Sequence, residues 1–148
     1  MVPFIALLVG TAVARLVGLA GVDALDGWHP ALRVGLALLF VLTGFAHFTS
    51  PRREGLIAMV PPRLPFPGAL VTATGVLELA GAVGLLVPVT ARPVAAGLAL
   101  MMVAMFPANV SAARRHLTLA GRPVTPLGPR TALQILYVGA ALAISFGP

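Results

Sequence analysis

The stretch PGALVTATGVLELAGAVGLLV, Pro67–Val87, decides the fold: it is 21 residues long and carries a single charge, Glu78. About 20 helical residues cross a hydrocarbon core of roughly 30 Å, so the run reads as a transmembrane helix. It does not alternate at period two between turn residues, which sets aside a β-barrel, and a helix is the other way to satisfy the backbone in lipid. Gly75, Gly81 and Gly84 lie among Ala and Thr, small residues of the kind that let a second helix approach closely.

Four more runs follow the same pattern: Val2–Val22, Ala31–Phe48, Ala91–Ala113 and Thr131–Phe146. The expected fold class is therefore all-α, a compact bundle of five transmembrane helices forming one domain over residues 1–148. The first run is too long for the apolar stretch of a cleaved signal peptide, has no basic residue ahead of it and holds Arg15 inside. It counts as a helix of the bundle.

Composition points the same way. Apolar residues make up 59% of the chain, and the mean hydropathy is +1.01. Charged residues are 9%, against roughly 25% in soluble domains, which excludes an ordinary soluble domain or a disordered tail. The net charge of +6 comes from ten Arg and no Lys, spread between the apolar runs rather than along one basic patch. No nucleic-acid partner is expected from that distribution. The absence of Cys excludes disulfides, thiolate catalysis and thiolate-held iron–sulfur clusters.

Arginine placement orients the bundle. Arg52, Arg53 and Arg63 fall between the second and third runs, and Arg114, Arg115, Arg122 and Arg130 between the fourth and fifth. The opposite face has Arg33 and Arg92 near its edge, with Asp23 and Asp26. The expected location is the inner membrane of a bacterial-type cell, with the N-terminus cytoplasmic, the C-terminus external and both long loops inside. Pro61, Pro62, Pro65 and Pro67 predict a stiff, extended first loop.

An ionisable group in hydrocarbon costs about 2.5 kcal/mol or more and calls for a partner or a task. The apolar runs hold few polar groups of this kind: Arg15, His47, Glu78, and the amides Asn109 and Gln134. At about 1.5 Å per residue, Glu78 lies near the midplane, and the other three of the last four lie toward the arginine-rich end. Four helices thus each contribute one polar side chain, and Thr43 and Thr74, one turn before His47 and Glu78, extend the same faces. Pro107 interrupts the fourth run two residues before Asn109 and frees a backbone carbonyl near Val103. The expected site is a polar cavity facing the cytoplasm. Glu78 and His47 are its candidate catalytic acid–base pair, with Thr43, Thr74, Asn109, Gln134 and Arg130 as substrate-binding groups.

Each of these residues also has a structural reading. Glu78 could brace the bundle, with Arg15 as its candidate ion-pair partner, although Arg15 could equally snorkel to the surface. His47 could be an interface histidine, Asn109 and Gln134 interhelical hydrogen bonds, and Met101, Met102 and Met105 adaptable packing. His29 and His116 fall in or near loops on opposite faces. One well-placed His with one carboxylate is too thin a set for a metal site, and haem would need two His at matched depth. Neither metal nor haem is expected, and quinone is the candidate cofactor. Phosphate-loop, dinucleotide-binding and nucleophile-elbow motifs are all lacking.

The segments Thr43-Gly-Phe-Ala-His-Phe48, Met59-Val-Pro-Pro62 with Leu64-Pro65, Thr74-Gly-Val-Leu-Glu-Leu-Ala-Gly81, Phe106-Pro-Ala-Asn-Val110, Arg130 and Gln134 follow one another in a distinctive order. In these the chain resembles the DoxX-like family of small membrane proteins, over about residues 33 to 145. The resemblance implies a four-helix core with the N-terminal helix as an addition. It also implies a functionally mixed kinship: membrane subunits of thiosulfate:quinone oxidoreductase, partners of superoxide dismutase and a sulfurtransferase, and a distant assembly chaperone for nicotinic receptors.

The leading expectation is a redox-linked accessory protein or subunit handling a quinone or other lipophilic molecule. Glu78 would give or take a proton, and His47 would bond a quinone carbonyl. If catalytic, the chain would be a quinone-linked oxidoreductase subunit or, second, an isomerase of a membrane lipid. A proton-coupled carrier is disfavoured by the lack of a repeat. The alternative is a non-enzymatic membrane scaffold or assembly chaperone that binds a soluble or membrane protein through its arginine-rich loops. The lipid bilayer is a partner in every case.

Overall fold

The computed structural model describes residues 2–147. Helix α1 covers Val2–Leu19, α2 Trp28–Ala46, α3 Arg52–Met59, α4 Pro67–Leu86, α5 Pro88–Arg114 and α6 Leu127–Phe146. A 3-10 turn at Asp23–Leu25 precedes α2. All but α3 are long and apolar enough to cross a membrane.

Prolines set several helix starts. Pro67 and Pro88 open α4 and α5, and Pro30 and Pro129 lie in the first turns of α2 and α6. First-turn N–H groups have no intrahelical acceptor, so proline forfeits nothing there. That is why α2 and α6 begin at Trp28 and Leu127, earlier than the apolar runs at Ala31 and Thr131. Pro93 and Pro107 sit inside α5, yet it remains one helix of 27 residues.

Two local features differ from the expectation. The first loop is not extended throughout, because Arg52–Met59 form α3, with Glu54 in the first turn where a negative charge complements the backbone dipole. The second loop carries a short antiparallel hairpin, β1 Thr118–Leu119 and β2 Arg122–Pro123, with Thr118 opposite Pro123 and Leu119 opposite Arg122. Its turn residues, Ala120 and Gly121, both have positive φ, 51° and 77°, as a tight two-residue hairpin turn demands.

Helices α2, α4, α5 and α6 pack in a ring, each against its neighbours, and α1 lies against α2. The ring closes over Leu36, Phe40, Leu85 and Ile144, all fully buried. At the α1–α2 crossing, a Cβ on Gly35 would meet the Thr11 hydroxyl and lie 2.5 Å from the Leu7 carbonyl oxygen. The outside of the bundle is apolar: Val83, Val89, Leu100 and Ile135 are among its most exposed residues. Hydroxyls that would be costly in lipid turn back on their own helices. Thr11, Thr43, Thr72, Thr74 and Thr131 each donate to the carbonyl four residues earlier.

The ends of the bundle are chemically distinct. One end gathers the tail of α2, all of α3, the start of α4, the tail of α5, the hairpin and the start of α6, and with them seven arginines. At the other end Arg33 closes the end of α4, donating to the Leu85 and Leu86 carbonyls at 2.7 and 3.0 Å. Arg92 donates to the Gly147 carbonyl at 2.7 Å.

Candidate functional site

Among the described residues, His47 and Glu78 are the only buried polar or charged side chains, 4% and 5% exposed. His47 caps the C-terminus of α2, one residue past the helix, and Glu78 sits in the middle of α4. The two helices can meet there because their contact is lined with glycine. A Cβ on Gly75 would lie 2.5 Å from the His47 Cβ and 2.9 Å from Phe48, and one on Gly44 would lie 2.8 Å from Leu79.

The His47 Nδ1 lies 2.8 Å from the Thr43 carbonyl oxygen and 3.8 Å from Glu78 Oε2. A carbonyl only accepts, so Nδ1 carries the hydrogen and Nε2 is the basic nitrogen of the neutral ring. The separation of 3.8 Å from the carboxylate exceeds a hydrogen bond. Glu78 Oε2 is buried and has no hydrogen-bond partner among the described residues. Thr43 faces the same carboxyl, while its hydroxyl donates to Leu39 O at 3.1 Å. Burial pushes the imidazole of His47 below its ordinary value, and the Arg53 guanidinium adds to this, against the opposing pull of the Thr43 carbonyl.

Arg53 is a member of this site that the sequence left among the loop arginines. From α3 it donates to the His47 carbonyl oxygen at 2.7 Å and to the Thr72 hydroxyl at 3.0 Å, joining the ends of α2 and α4. An arginine just past a helix end is a signal for capping of the last carbonyls. His47 is six residues upstream of it.

The remaining expected residues form a second group. Arg130 Nη1 donates to the Asn109 side-chain oxygen, and Gln134 Nε2 donates to the Met102 carbonyl at 2.6 Å. These bonds join α6 to α5. Gln134 thus meets the carbonyl one residue before Val103, the one that Pro107 was expected to free. Among the described residues no hydrogen bond or ion pair links this group to His47 or Glu78. The four-helix convergence resolves into two interhelical pairs, one between α2 and α4 and one between α5 and α6. Thr74 stays on the α4 side, its hydroxyl given to the Leu70 carbonyl at 3.0 Å.

Two further expectations are corrected. Arg15 is not the partner of Glu78: its Nη1 lies 3.0 Å from Asp26 Oδ1, and its guanidinium sits 5.8 Å over the Trp28 ring. Arg15 is near the end of α1 and folds onto the connection just beyond it. The His47–Glu78 pair also lies in a packed helix contact rather than an open polar cavity. Cavities of about 480 and 240 Å³ occur at the two ends of the bundle, and neither is lined by either residue.

The arrangement sets an acid with a free oxygen beside a base whose tautomer is fixed, in a contact that excludes water. Such a pair can exchange a proton with a polar group brought to it, or hydrogen-bond a carbonyl. Among the described residues no group of three or more His, Cys, Asp or Glu is placed to hold a metal ion.

Residues 36–145 match a family model described as a domain of unknown function (DUF8561). No curated protein and no solved structure matches the chain.

Proposed function

We propose, for a chain that belongs to the DUF8561 family, that it is a membrane-embedded accessory protein whose His47–Glu78 pair binds the carbonyl of a lipophilic, quinone-like molecule and handles its protons. The observation that carries this reading is the Glu78 Oε2 atom, buried 3.8 Å from the His47 imidazole with no hydrogen-bond partner among the described residues. An unsatisfied buried oxygen is costly; a quinone carbonyl accepting the proton of the Glu78 carboxylic acid, or a quinol hydroxyl donating to the carboxylate, would remove that cost. The ligand would arrive from lipid between α2 and α4, where Phe48 is exposed and lies against Gly75. The resemblance to DoxX-like proteins, some of which are membrane subunits of a quinone oxidoreductase, agrees with this ligand class.

The residues divide the work. His47 presents Nε2 as base or, once protonated, as donor. Glu78 supplies the complementary acceptor or acid. Arg53 fixes the backbone carbonyl of His47 and with it the ring. The electrons for any reduction of a bound quinone would come from a partner donor, and the chain's share is binding and proton transfer.

The test is binding of a short-chain benzoquinone to the full chain in lipid nanodiscs. The wild type is expected to bind, and Glu78→Leu and His47→Ala to weaken binding about ten-fold, the loss of one hydrogen bond to the ligand, with the helical signal unchanged. Equal binding by all three proteins would refute the reading.

A second reading, a scaffold for a protein partner, is favoured by a different observation. Arg52, Arg63, Arg114 and Arg122 are exposed at one end of the bundle. It predicts that Glu78→Gln leaves the partner bound, while Arg52→Gln together with Arg63→Gln releases it in a pull-down.

A further inference from the structure

The arginine-rich end holds a second candidate site, independent of the His47–Glu78 pair. A cavity of about 480 Å³ opens between the last turn of α5, the hairpin and the first turn of α6. Leu117, Val124, Pro126 and Leu127 give it apolar walls, and Arg114 and His116 are its basic lining.

No Asp or Glu is among its lining residues. The segment from Arg114 to Arg130 contains no Asp or Glu. Of the chain's four acids, Glu54 is bonded to Ser50, Glu78 is buried between α2 and α4, and Asp23 and Asp26 lie at the opposite end. The neighbouring arginines are already engaged: Arg115 donates to the Ala58 and Val60 carbonyls, and Arg130 to Asn109. Arg114 and Arg122 are exposed and make no hydrogen bond or ion pair among the described residues. Cations at the C-terminus of α5 complement its negative dipole end, but α6 starts at the same cavity and its positive end offsets that effect.

His116 adds a backbone argument. It follows the C-cap of α5 with φ 51°, and the helix closes through Leu117 N to Ala112 O at 3.1 Å and His116 N to Ala113 O at 3.3 Å. This left-handed closing position is the one where glycine avoids the clash that Cβ brings. A histidine held there against that preference, with its side chain in the cavity wall, argues for a use of the imidazole.

We propose that this cleft binds the phosphate headgroup of an anionic phospholipid, with Arg114 and His116 on the phosphate and the apolar wall against the upper part of an acyl chain. The apolar lining favours a lipid over free phosphate. So does the position, where α5 and α6 leave the apolar part of the bundle, at the end where juxtamembrane arginines meet an anionic leaflet.

The test uses the full chain in mild detergent, with native mass spectra recorded during titration with dioleoylphosphatidylglycerol or dioleoylphosphatidylcholine. The anionic lipid is expected to remain bound and the zwitterionic one to be lost. Arg114→Gln is expected to weaken retention about five-fold, the gain expected from one basic group at an anionic surface. Arg63→Gln, in the other loop, is expected to leave retention unchanged. His116→Gly is expected to weaken retention while raising the thermal midpoint, since it relieves the left-handed backbone. Equal retention of the two lipids, or equal losses in Arg114→Gln and Arg63→Gln, would overturn the proposal. Displacement of the lipid by inorganic phosphate would overturn it in favour of a free anion, and a His116→Gly protein that is more stable with undiminished retention would remove His116 from the site.

Discussion

Glu78, within α4, and His47, one residue past α2, are ionisable side chains that the packed helices bury, and their neighbours decide what each can do. Among the described residues Oε2 of Glu78 makes no hydrogen bond that a substitution could break. Glu78→Gln is therefore expected to fold and to keep at least the wild-type thermal midpoint in detergent, whereas a carboxylate that braced the bundle would give a clear loss. His47 titrates below its ordinary value because it is buried. A lowered folded value means that the unfolded chain binds the proton first as pH falls. The contribution of the neutral ring is thus full above the unfolded value of 6.5 and is lost below it. The gap in thermal midpoint between the wild type and His47→Gln should shrink in the wild type's disfavour as pH is lowered from about 7.5 to 5.5. A gap independent of pH would show that the ring does not titrate in that window.

Helix contacts explain why the pair forms at all. Gly75 on α4 takes the His47 side chain against its backbone. Gly75→Ala is expected to cost about 1–3 kcal/mol through overpacking, read as a lower thermal midpoint, and to move His47 away from Glu78. An unchanged midpoint would mean that α2 and α4 can separate freely. At the other end of α4, Arg33→Gln removes two donors from the Leu85 and Leu86 carbonyls and is expected to cost about 1 kcal/mol. The pairing of elements also marks where sequence reading runs out. Span length, the loneliness of Glu78 and the clustering of arginine in two loops were legible, because each depends on local composition. The facing of His47 toward Glu78 was not, because it depends on how α2 and α4 rotate against each other. Arg15 was ambiguous for a similar reason: its partner Asp26 lies 11 residues on, past the end of α1, and becomes near only once the chain folds back over the 3-10 turn. Arg53 looked like one more topology charge until α3 placed it over the end of α2.

On the scale of the whole molecule the chain is a ring of four helices with a fifth against α2, apolar outside, and with arginine concentrated at one end. That asymmetry predicts an orientation with the arginine-rich loops in the cytoplasm. The chain has no cysteine, so single cysteines report topology cleanly. A cysteine in place of Ala120, at the hairpin tip, should react with an impermeant maleimide only after the cells are opened. One in place of Ala24, before α2, should react in intact cells once the outer envelope is permeabilised. The reverse pattern would invert the bundle. The two sites proposed here then fall to different depths: a lipid headgroup cleft at the arginine-rich surface, and a proton-handling pair within the helix contact.

Whether a lipophilic carbonyl reaches the buried pair decides between a working site and plain packing. Infrared difference spectra of the protein in vesicles, with and without a short-chain benzoquinone, report this directly. A carboxyl band is expected that shifts on addition of the quinone, is absent from Glu78→Gln, and keeps its position but loses its shift in His47→Ala. A spectrum in which the Glu78 band is identical with and without the quinone would contradict a working site, and the pair would then be part of the packing of α2 against α4.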